Sequence, residues 1–293
     1  MVTIGTFDGV HIGHRKIIER LVQTATAENC DSLLLTFSTH PRMVLESASA
    51  VSLLTTTEEK ERLLSQTLLD ILVIHRFDEA FSELSPHDFV KQVLVNAFSV
   101  KKIIIGHDHR FGKNRMAGYQ DLVSFGEEFG FLVEQIPPQE ISDVSVSSTR
   151  IRKAISEGNI ALANRFLGYH YMLTGTVVKG RQLGRTIGFP TANIAIADSS
   201  KLIPVNGVYV VECRFESALR YGMMNIGTRP TVDGRSRSIE VHFFDFNADL
   251  YGQEISIGII DRLRDEQQFD GIESLRLQLQ VDKSVALTLL GNL

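Results

Sequence analysis

Cysteines, long apolar runs and a leader sequence are scarce or missing in this chain. Only two of its 293 residues are cysteine, and Cys30 and Cys213 lack the paired spacing of metal ligands. This excludes a disulfide framework and a cysteine-based zinc site. No apolar run approaches the roughly 20 residues that a membrane-spanning helix needs. The start, Met1–Gly5, has neither the basic segment nor the cleavage site of a secretory signal. We therefore expect a cytoplasmic protein without a membrane partner.

A surplus of basic residues is also missing. The chain has 30 lysines and arginines against 35 acidic residues, a net charge of -5. General nucleic-acid binders usually carry a basic surplus, so we expect no nucleic-acid partner. The local cluster Arg110–Arg115 can still bind a small phosphorylated ligand. The 43% hydrophobic content indicates a globular protein with sizeable cores, long enough for two ordinary domains or one large domain.

The first half of the chain alternates between short apolar runs and helical patterns. The apolar runs predict five strands: Val2–Phe7, Ser32–Phe37, Ile71–His75, Lys102–Gly106 and Phe131–Ile136. The stretches between them predict four helices: Gly13–Ala27, Thr57–Leu69, Pro86–Phe98 and Tyr119–Phe129. This alternation predicts βαβ units and a Rossmann-like parallel sheet. Ligands of such sheets bind at the carboxyl ends of the strands, where segments 6–14 and 106–118 lie.

The pattern changes after two short predicted helices, Ser148–Ser156 and Asn159–Leu167. Short β-rich segments separated by turn residues follow: Met172–Lys179, Gly207–Phe215, Arg220–Ile226, Ser238–Phe244 and Glu254–Leu263. Such segments without long helices between them predict an antiparallel β-barrel, closed by a final helix near 271–290. We place the domain boundary near Gly168, which gives domains of residues 1–168 and 169–293. Since no Pro/Ser-rich linker separates them, we expect the two domains to abut.

One motif carries chemistry at the first predicted strand end. Residues 5–14 read G-T-F-D-G-V-H-I-G-H, a strand that leads directly into a helix. Gly5 and Gly9 permit a tight turn and a close approach of the backbone to a ligand. His11 and His14 are three apart, so they project from one face of the helix start. Free N–H groups and the positive end of the dipole suit a triphosphate there. An ordinary surface pair of histidines beside a turn is the alternative.

This segment resembles the HxGH signature of the nucleotidyltransferase superfamily, and the longer string is similar to its FAD synthetase branch. Two further segments are similar to that branch: G-H-D-H-R-F-G-K-N-R from residue 106, where His109 replaces the more usual Phe, and S-S-T-R-I-R from residue 147. The resemblance implies that His11 and His14 are catalytic. It also implies ATP contacts from Gly5, Thr6, Phe7, Asp8, Ser148, Thr149 and Arg152. The implied flavin contacts are Asp108, Arg110, Asn114 and Arg115.

The second half resembles a riboflavin kinase domain. The matching segments include G-F-P-T-A-N at residues 188–193, N-I-G-T-R-P-T at residues 225–231 and E-V-H at residues 240–242. The resemblance implies that Gly188, Thr191 and Asn193 contact ATP, that Thr191 and Asn193 hold Mg²⁺, and that Glu240 is the catalytic base. Mg²⁺ prefers oxygen ligands and substrate phosphates, which fits a hydroxyl and an amide oxygen. The alternatives are a Pro turn capped by Asn, and a solvent-facing Glu240.

Together the two resemblances imply a bifunctional enzyme that phosphorylates riboflavin with ATP to FMN and then adenylylates FMN with ATP to FAD. Riboflavin, FMN, ATP and Mg²⁺ are the expected ligands, with at most weak self-association. Two alternatives stay open: an adenylyltransferase for pantetheine phosphate or nicotinate mononucleotide, and a non-catalytic flavin-binding module or flavin sensor. Members of the family usually have a longer segment before the first strand, so the resemblance also implies a shortened start.

Overall fold

The protein divides into two compact units, Met1–Ser148 and Thr149–Leu293. The computed structural model describes residues 1–45, 51–107, 109–137, 146–180, 182–216, 218–231 and 234–291. Within these ranges, no helix is long and apolar enough to cross a membrane.

A five-stranded parallel sheet forms the centre of the first unit. Its strands are β1 (Val2–Ile4), β2 (Leu33–Phe37), β3 (Ile71–His75), β4 (Lys102–Gly106) and β5 (Leu132–Ile136), in the spatial order β3-β2-β1-β4-β5. The predicted Rossmann-like parallel sheet is therefore confirmed. Strand β1 ends earlier than predicted because Phe7 adopts a left-handed φ of 46°, which a strand cannot accommodate.

Helices surround this sheet. They are the α-helices Ile12–Ala27, Pro41–Leu45, Thr57–Leu64, Glu79–Ser82, Pro86–Phe89 and Tyr119–Phe129, a π-helix at Val90–Ala97 and a 3₁₀ turn at Lys113–Arg115. The helix predicted at Thr57–Leu69 is shorter than expected, and the one predicted at Pro86–Phe98 changes from α to π geometry at Val90. Buried Leu94, Ile103 and Ile105 belong to the core between the sheet and these helices.

A closed six-stranded antiparallel barrel forms the second unit, as predicted. Its strands are β6 (Tyr171–Val178), β7 (Ala192–Ala195), β8 (Gly207–Phe215), β9 (Ala218–Thr231), β10 (Gly234–Phe243) and β11 (Glu254–Arg264), in the order β10-β7-β6-β11-β8-β9. Its helices are Ser148–Ser156, whose first residue ends the first unit, Ile160–Leu167, Leu183–Thr186 and Ile272–Leu290. The final helix, predicted near 271–290, is present.

The closing helix is attached to the barrel by a buried ion pair. Asp282 is only 3% exposed. Its carboxylate accepts two hydrogen bonds from Arg264 on β11, at 2.9 Å from Nε and 2.7 Å from Nη2. Gln278 donates a third at 2.9 Å. This paired, planar geometry fixes the helix against one strand of the barrel.

Candidate active sites

The first candidate site lies where the strand order of the sheet reverses. Strands β1 and β4 are parallel neighbours, with Val2 opposite Ile103. The segment 5–14 leaves the carboxyl end of β1, and the segment 106–118 leaves the carboxyl end of β4. Both therefore start at the edge where open parallel sheets bind their ligands. The strand order therefore places the starts of both segments at one edge of the sheet, as predicted.

The segment after β1 is strained. Phe7 and Val10 have left-handed φ angles of 46° and 35°, and Gly9 lies between them at 81°. Such φ angles in bulky or β-branched residues cost about 1–3 kcal/mol each and persist only where the surroundings impose them. Gly5 packs directly against the Phe7 ring, since a Cβ built there would lie 3.1 Å from Phe7 Cε2. Strain of this kind is typical of functional sites.

Asp8 is one of the groups that impose this conformation. Its carboxylate is 4% exposed. It accepts hydrogen bonds from the backbone N–H of Leu54 at 3.0 Å and of Thr55 at 3.1 Å, and Thr55 Oγ1 accepts one from the Gly9 N–H at 3.1 Å. The carboxylate thus faces a neighbouring backbone segment. A contact between Asp8 and ATP stays a prediction.

Lys60 anchors the same segment from beneath. Its Nζ donates to the carbonyl oxygens of Phe37 at 2.6 Å and Thr6 at 3.3 Å, and to Thr36 Oγ1 at 3.2 Å. Burial lowers the pKa of Lys60 to about 8, and the nearby Asp8 carboxylate opposes that shift. Lys60 is not among the predicted site residues, because a single lysine in a helical pattern indicates an exposed charge.

His11 and His14 stack on each other at the start of helix Ile12–Ala27. Their ring centroids are 3.6 Å apart, with an angle of 16° between the planes. His11 caps the helix: its Nδ1 accepts from the His14 backbone N–H at 3.3 Å, which leaves the ring proton of a neutral His11 on Nε2. The two predicted histidines therefore lie on one face of the helix start, as their spacing indicated.

The electrostatic surroundings keep His14 neutral. Burial first, then the adjacent His11 and the Lys60 ammonium, lower the pKa of His14 well below its ordinary value of 6.5. Among the residues that the structure describes, His14 Nδ1 is buried without a hydrogen-bond partner. A buried polar atom without a partner is rare in a folded protein and calls for an explanation. One such explanation is a bound substrate that forms a hydrogen bond with this atom.

The predicted phosphate residues near position 148 divide between the two compact units. Ser148 Oγ donates to the Asp8 carbonyl oxygen at 3.0 Å, which places it beside the strained segment. Thr149 is exposed and Arg152 is half-buried on the helix that starts at Ser148. Contacts of Thr149 and Arg152 with ATP stay predictions.

The predicted flavin residues lie on a compact loop after β4. Phe111 pairs with Ala117 across this loop. Between them, Asn114 and Arg115 have left-handed φ angles of 55° and 56° and exposed side chains. Arg110 is also exposed and packs over Gly118. Asp108 lies outside the described residues, so its predicted flavin contact stays a prediction.

The second candidate site is built by strand register in the barrel. Glu240 on β10 lies directly opposite Asn193 on β7 and opposite Asn225 on β9. Residues paired this way across antiparallel strands share one face of the sheet. Thr191 Oγ1, just before β7, donates to Glu240 Oε2 at 3.3 Å. The three predicted residues are therefore brought together, and Asn225 joins them.

The alternation predicted for β10 is present. Ile239 and Val241 are 6% and 0% exposed, whereas Glu240 between them is half-buried. The next residue on the Glu240 face, His242, is buried, and its ring lies 2.8 Å from the Pro190 carbonyl oxygen through Nδ1. Burial is the main cause that lowers the pKa of His242. A neutral His242 therefore donates to the residue before Thr191. The sequence alone indicates no role for His242.

The donor chemistry at this second site fits Mg²⁺. The described residues contain no group of three or more His, Cys, Asp or Glu side chains that could hold a metal ion. The site instead offers a hydroxyl, an amide and a carboxylate from Thr191, Asn193 and Glu240. Such a partial oxygen shell suits a cation that takes its other ligands from substrate phosphates and water. Gly188, which precedes Thr191 in the same motif, is exposed and has a φ of 81°.

The chain matches two family models, one for each unit. The model for FAD synthetase matches residues 1–150, and the model for riboflavin kinase matches residues 167–290. A curated relative from Haemophilus influenzae, named bifunctional riboflavin kinase/FMN adenylyltransferase, is 36% identical over 97% of this chain and 92% of the relative. The chain belongs to the bifunctional riboflavin kinase/FMN adenylyltransferase family. The family relatives from Escherichia coli (strain K12) and Listeria monocytogenes are 37% and 39% identical, over 99% and 97% of this chain.

A solved structure shares the whole fold. It is 33% identical, with a TM-score of 0.88, and the match covers 97% of this chain and 93% of that one. It is named a macrolide-efflux protein from Streptococcus pneumoniae, which differs from the names of the sequence relatives. The structural likeness supports the fold, whereas the two family models and the sequence relatives establish the family.

Proposed function

We propose that the chain makes FAD in two steps at two separate sites. In the first step, the ribityl 5'-oxygen of riboflavin attacks the γ-phosphorus of ATP; a P–O bond forms, ADP leaves, and FMN results. In the second step, a phosphate oxygen of FMN attacks the α-phosphorus of another ATP, and pyrophosphate leaves. The observation that carries this proposal is that one chain holds the stacked His11–His14 pair and the Thr191–Glu240 pair on different folds.

For the adenylylation site, the support comes from the helix start. The free N–H groups of helix Ile12–Ala27 and its positive dipole end suit the triphosphate. His11 and His14 would donate hydrogen bonds to the phosphates as charge develops on the leaving pyrophosphate. Segment 5–8 and Ser148 would line the ATP, together with Thr149 and Arg152. Asp108, Arg110, Asn114 and Arg115 would contact the flavin.

For the kinase site, the support comes from strand register. Glu240 would accept the proton of the ribityl 5'-hydroxyl as the new P–O bond forms. Thr191 Oγ1 and the Asn193 amide oxygen would hold Mg²⁺, which screens the charge of the phosphates when it is bound. Gly188 would allow the backbone to approach the ATP closely. An adenylyltransferase for pantetheine phosphate or nicotinate mononucleotide would have no role for Thr191, Asn193 and Glu240.

Three wider assignments belong to the same proposal. Because both reactions consume ATP, we place the enzyme in the cytoplasm. We assign residues 1–168 to adenylylation and residues 169–293 to phosphorylation, although the compact units divide twenty residues earlier, at Ser148. We propose no nucleic-acid partner and at most weak self-association.

Product analysis by liquid chromatography tests the two-step order. The purified protein is incubated with riboflavin, ATP and Mg²⁺, and the flavins are separated over time. We expect FMN first and FAD later. FMN without FAD would overturn the adenylylation assignment. Flavin binding without any conversion would overturn both assignments and favour the flavin-binding module.

Two substitutions test the assignment of each site. We expect His14→Ala to lower FMN adenylylation by about 10²–10³-fold, because one donor to the transition state is lost, and to leave riboflavin phosphorylation within about twofold. Glu240→Gln should do the converse, with a loss of about 10²–10⁴-fold in phosphorylation. Initial rates with FMN and with riboflavin as separate substrates measure each activity. Equal loss of both activities in either variant contradicts separate sites.

A further inference from the structure

Lys60 is a buried charge that the proposed chemistry of the first site does not use. Its residue is 7% exposed, and its three hydrogen-bond acceptors belong to the ends of two neighbouring strands. Thr36 also donates from its hydroxyl to the Thr6 carbonyl oxygen at 3.0 Å. Thr6, Thr36 and Phe37 therefore converge on a single ammonium group at the carboxyl edge of β1 and β2.

A buried ammonium is a costly way to fill this position. Its desolvation disfavours the charged form, and an apolar side chain of similar length would fill the same volume without that cost. The ammonium is useful only where its donors or its charge are needed. The three oxygen acceptors account for its donors, and the neighbouring site accounts for its charge.

The hydrogen bonds of Lys60 bear directly on the strained backbone. Lys60 holds the carbonyl of Thr6, the residue before Phe7, and the Leu54 and Thr55 amides hold the carboxylate of Asp8, the residue after it. Phe7, with its left-handed φ of 46°, therefore lies between two anchors. Both anchors come from one segment, residues 54–60. This segment imposes the bend that leads to His11 and His14.

The charge of Lys60 reaches the histidines. Lys60 and His11 both lower the pKa of His14, after burial as the main cause. The charged and titratable groups around Lys60 are Asp8 on the strained segment, His14 on helix Ile12–Ala27 and Glu59 on its own helix. Glu59 Oε2 accepts from the Thr56 backbone N–H at 3.1 Å as part of the helix cap. Lys60 thus supplies positive potential beneath the proposed triphosphate site.

We propose that Lys60 is a positioning residue for adenylylation: it holds segment 6–14 in its strained conformation and places a positive charge near His14. It acts through the backbone and the electrostatic field, without touching the reacting atoms. The proposal rests on the assignment of adenylylation to this site.

The first test compares both activities of one protein preparation. We expect Lys60→Met to lower kcat/KM for FMN adenylylation by about 10–100-fold, because misplacement of catalytic groups by a fraction of an ångström has effects of this size. Riboflavin phosphorylation should stay within about twofold. Lys91→Met is the matched control: Lys91 is exposed in the same unit, and its loss should change neither activity. Unchanged adenylylation in Lys60→Met overturns the proposal.

The second test separates charge from packing. Because burial lowers the pKa of Lys60 to about 8, we expect its ammonium to lose its proton as the pH rises through that value. The value of kcat/KM for ATP in adenylylation reports groups of the free enzyme, so it should decline between about pH 7.5 and 9. Lys60→Met should lack this decline. A decline that persists in Lys60→Met overturns the proposal, since a group other than Lys60 would then cause it.

A conservative variant serves as the test if Lys60→Met fails to fold. If Lys60→Met is recovered without phosphorylation activity, Lys60→Arg replaces it, because a guanidinium stays charged throughout this pH range. We expect Lys60→Arg to retain more adenylylation than Lys60→Met and to show no decline above pH 8; a decline there overturns the proposal. His14→Ala separates the two failures. If it keeps adenylylation, the site assignment is wrong; if it loses adenylylation and Lys60→Met does not, only the role of Lys60 is wrong.

Discussion

Close contact with a glycine fixes the amide of Asn193 in the proposed kinase site. A Cβ built on Gly180 would lie 2.2 Å from Asn193 Nδ2 and 2.7 Å from its Oδ1. Real Cβ atoms do not approach other heavy atoms this closely, so any side chain at position 180 must displace the amide. The missing side chain of Gly180 therefore leaves room for the Asn193 amide, while the pairing of β7 with β10 keeps Asn193 opposite Glu240.

We accordingly expect Gly180→Ala to impair the kinase selectively. Displacement of the Asn193 amide by about 1 Å should lower riboflavin phosphorylation by about 10²-fold and leave FMN adenylylation unchanged. Gly271→Ala is the control, because Gly271 has an extended backbone and no atom within 4 Å of the added Cβ. Steady-state rates of both activities decide the matter. Full phosphorylation activity in Gly180→Ala would mean that the amide is not part of the site.

The predictability of individual residues depended on whether their role is local. His11 and His14 could be predicted because a spacing of three at a helix start fixes their common face. Asn225 could not be assigned a role, because its place opposite Glu240 depends on which strands pair in the barrel. Lys60 could not be found either, since only the convergence of two strand ends buries its ammonium.

Among the elements, the closing helix is joined to the barrel by the buried Arg264–Asp282 ion pair, next to the apolar contacts of Ala286. We expect Asp282→Asn to lower the free energy of unfolding by about 3 kcal/mol, because it leaves the partly buried Arg264 guanidinium without its counter-charge. Since the chain has no tryptophan, urea unfolding is best followed by far-UV circular dichroism.

The same helix offers a matched control for this prediction. Glu273 and Arg276 form an ion pair at 2.6 Å with side chains 68% and 39% exposed. Exposed pairs contribute little, so Glu273→Gln should lower the free energy of unfolding by less than about 1 kcal/mol. Similar losses in the two variants would show that burial does not set the strength of the Arg264–Asp282 pair.

The elements themselves followed the sequence pattern where the pattern was long and regular. The five parallel strands and the final helix were predicted, and their ends differ by a few residues. Strand β7, Ala192–Ala195, was missed because it starts at the end of the G-F-P-T-A-N motif, where Pro and Gly indicate a turn. Strand β9 runs over Ala218–Thr231, longer than the predicted Arg220–Ile226, because its first part pairs with β8 and its last part with β10.

For the whole molecule, we expect FMN to pass through the solution between the two proposed sites, which lie on different units. We expect neither His14→Ala nor Glu240→Gln to convert riboflavin to FAD efficiently. An equal mixture of the two variants should restore FAD formation, because Glu240→Gln can adenylylate the FMN that His14→Ala releases. Chromatography of the flavins over time measures the recovery. A mixture that accumulates FMN without FAD would show that FMN cannot move from one protein molecule to another.

The order of pairing in the two sheets has a consequence for how the chain is made. All five strands of the parallel sheet lie within the first 136 residues, whereas the barrel closes only when β11, which ends at Arg264, pairs with β6. A chain emerging from the ribosome therefore exposes the complete set of parallel strands well before the barrel can form. Domains generally fold in the order of synthesis, and pairing between distant strands is slow. The unit that acts second on the flavin is thus the first to fold.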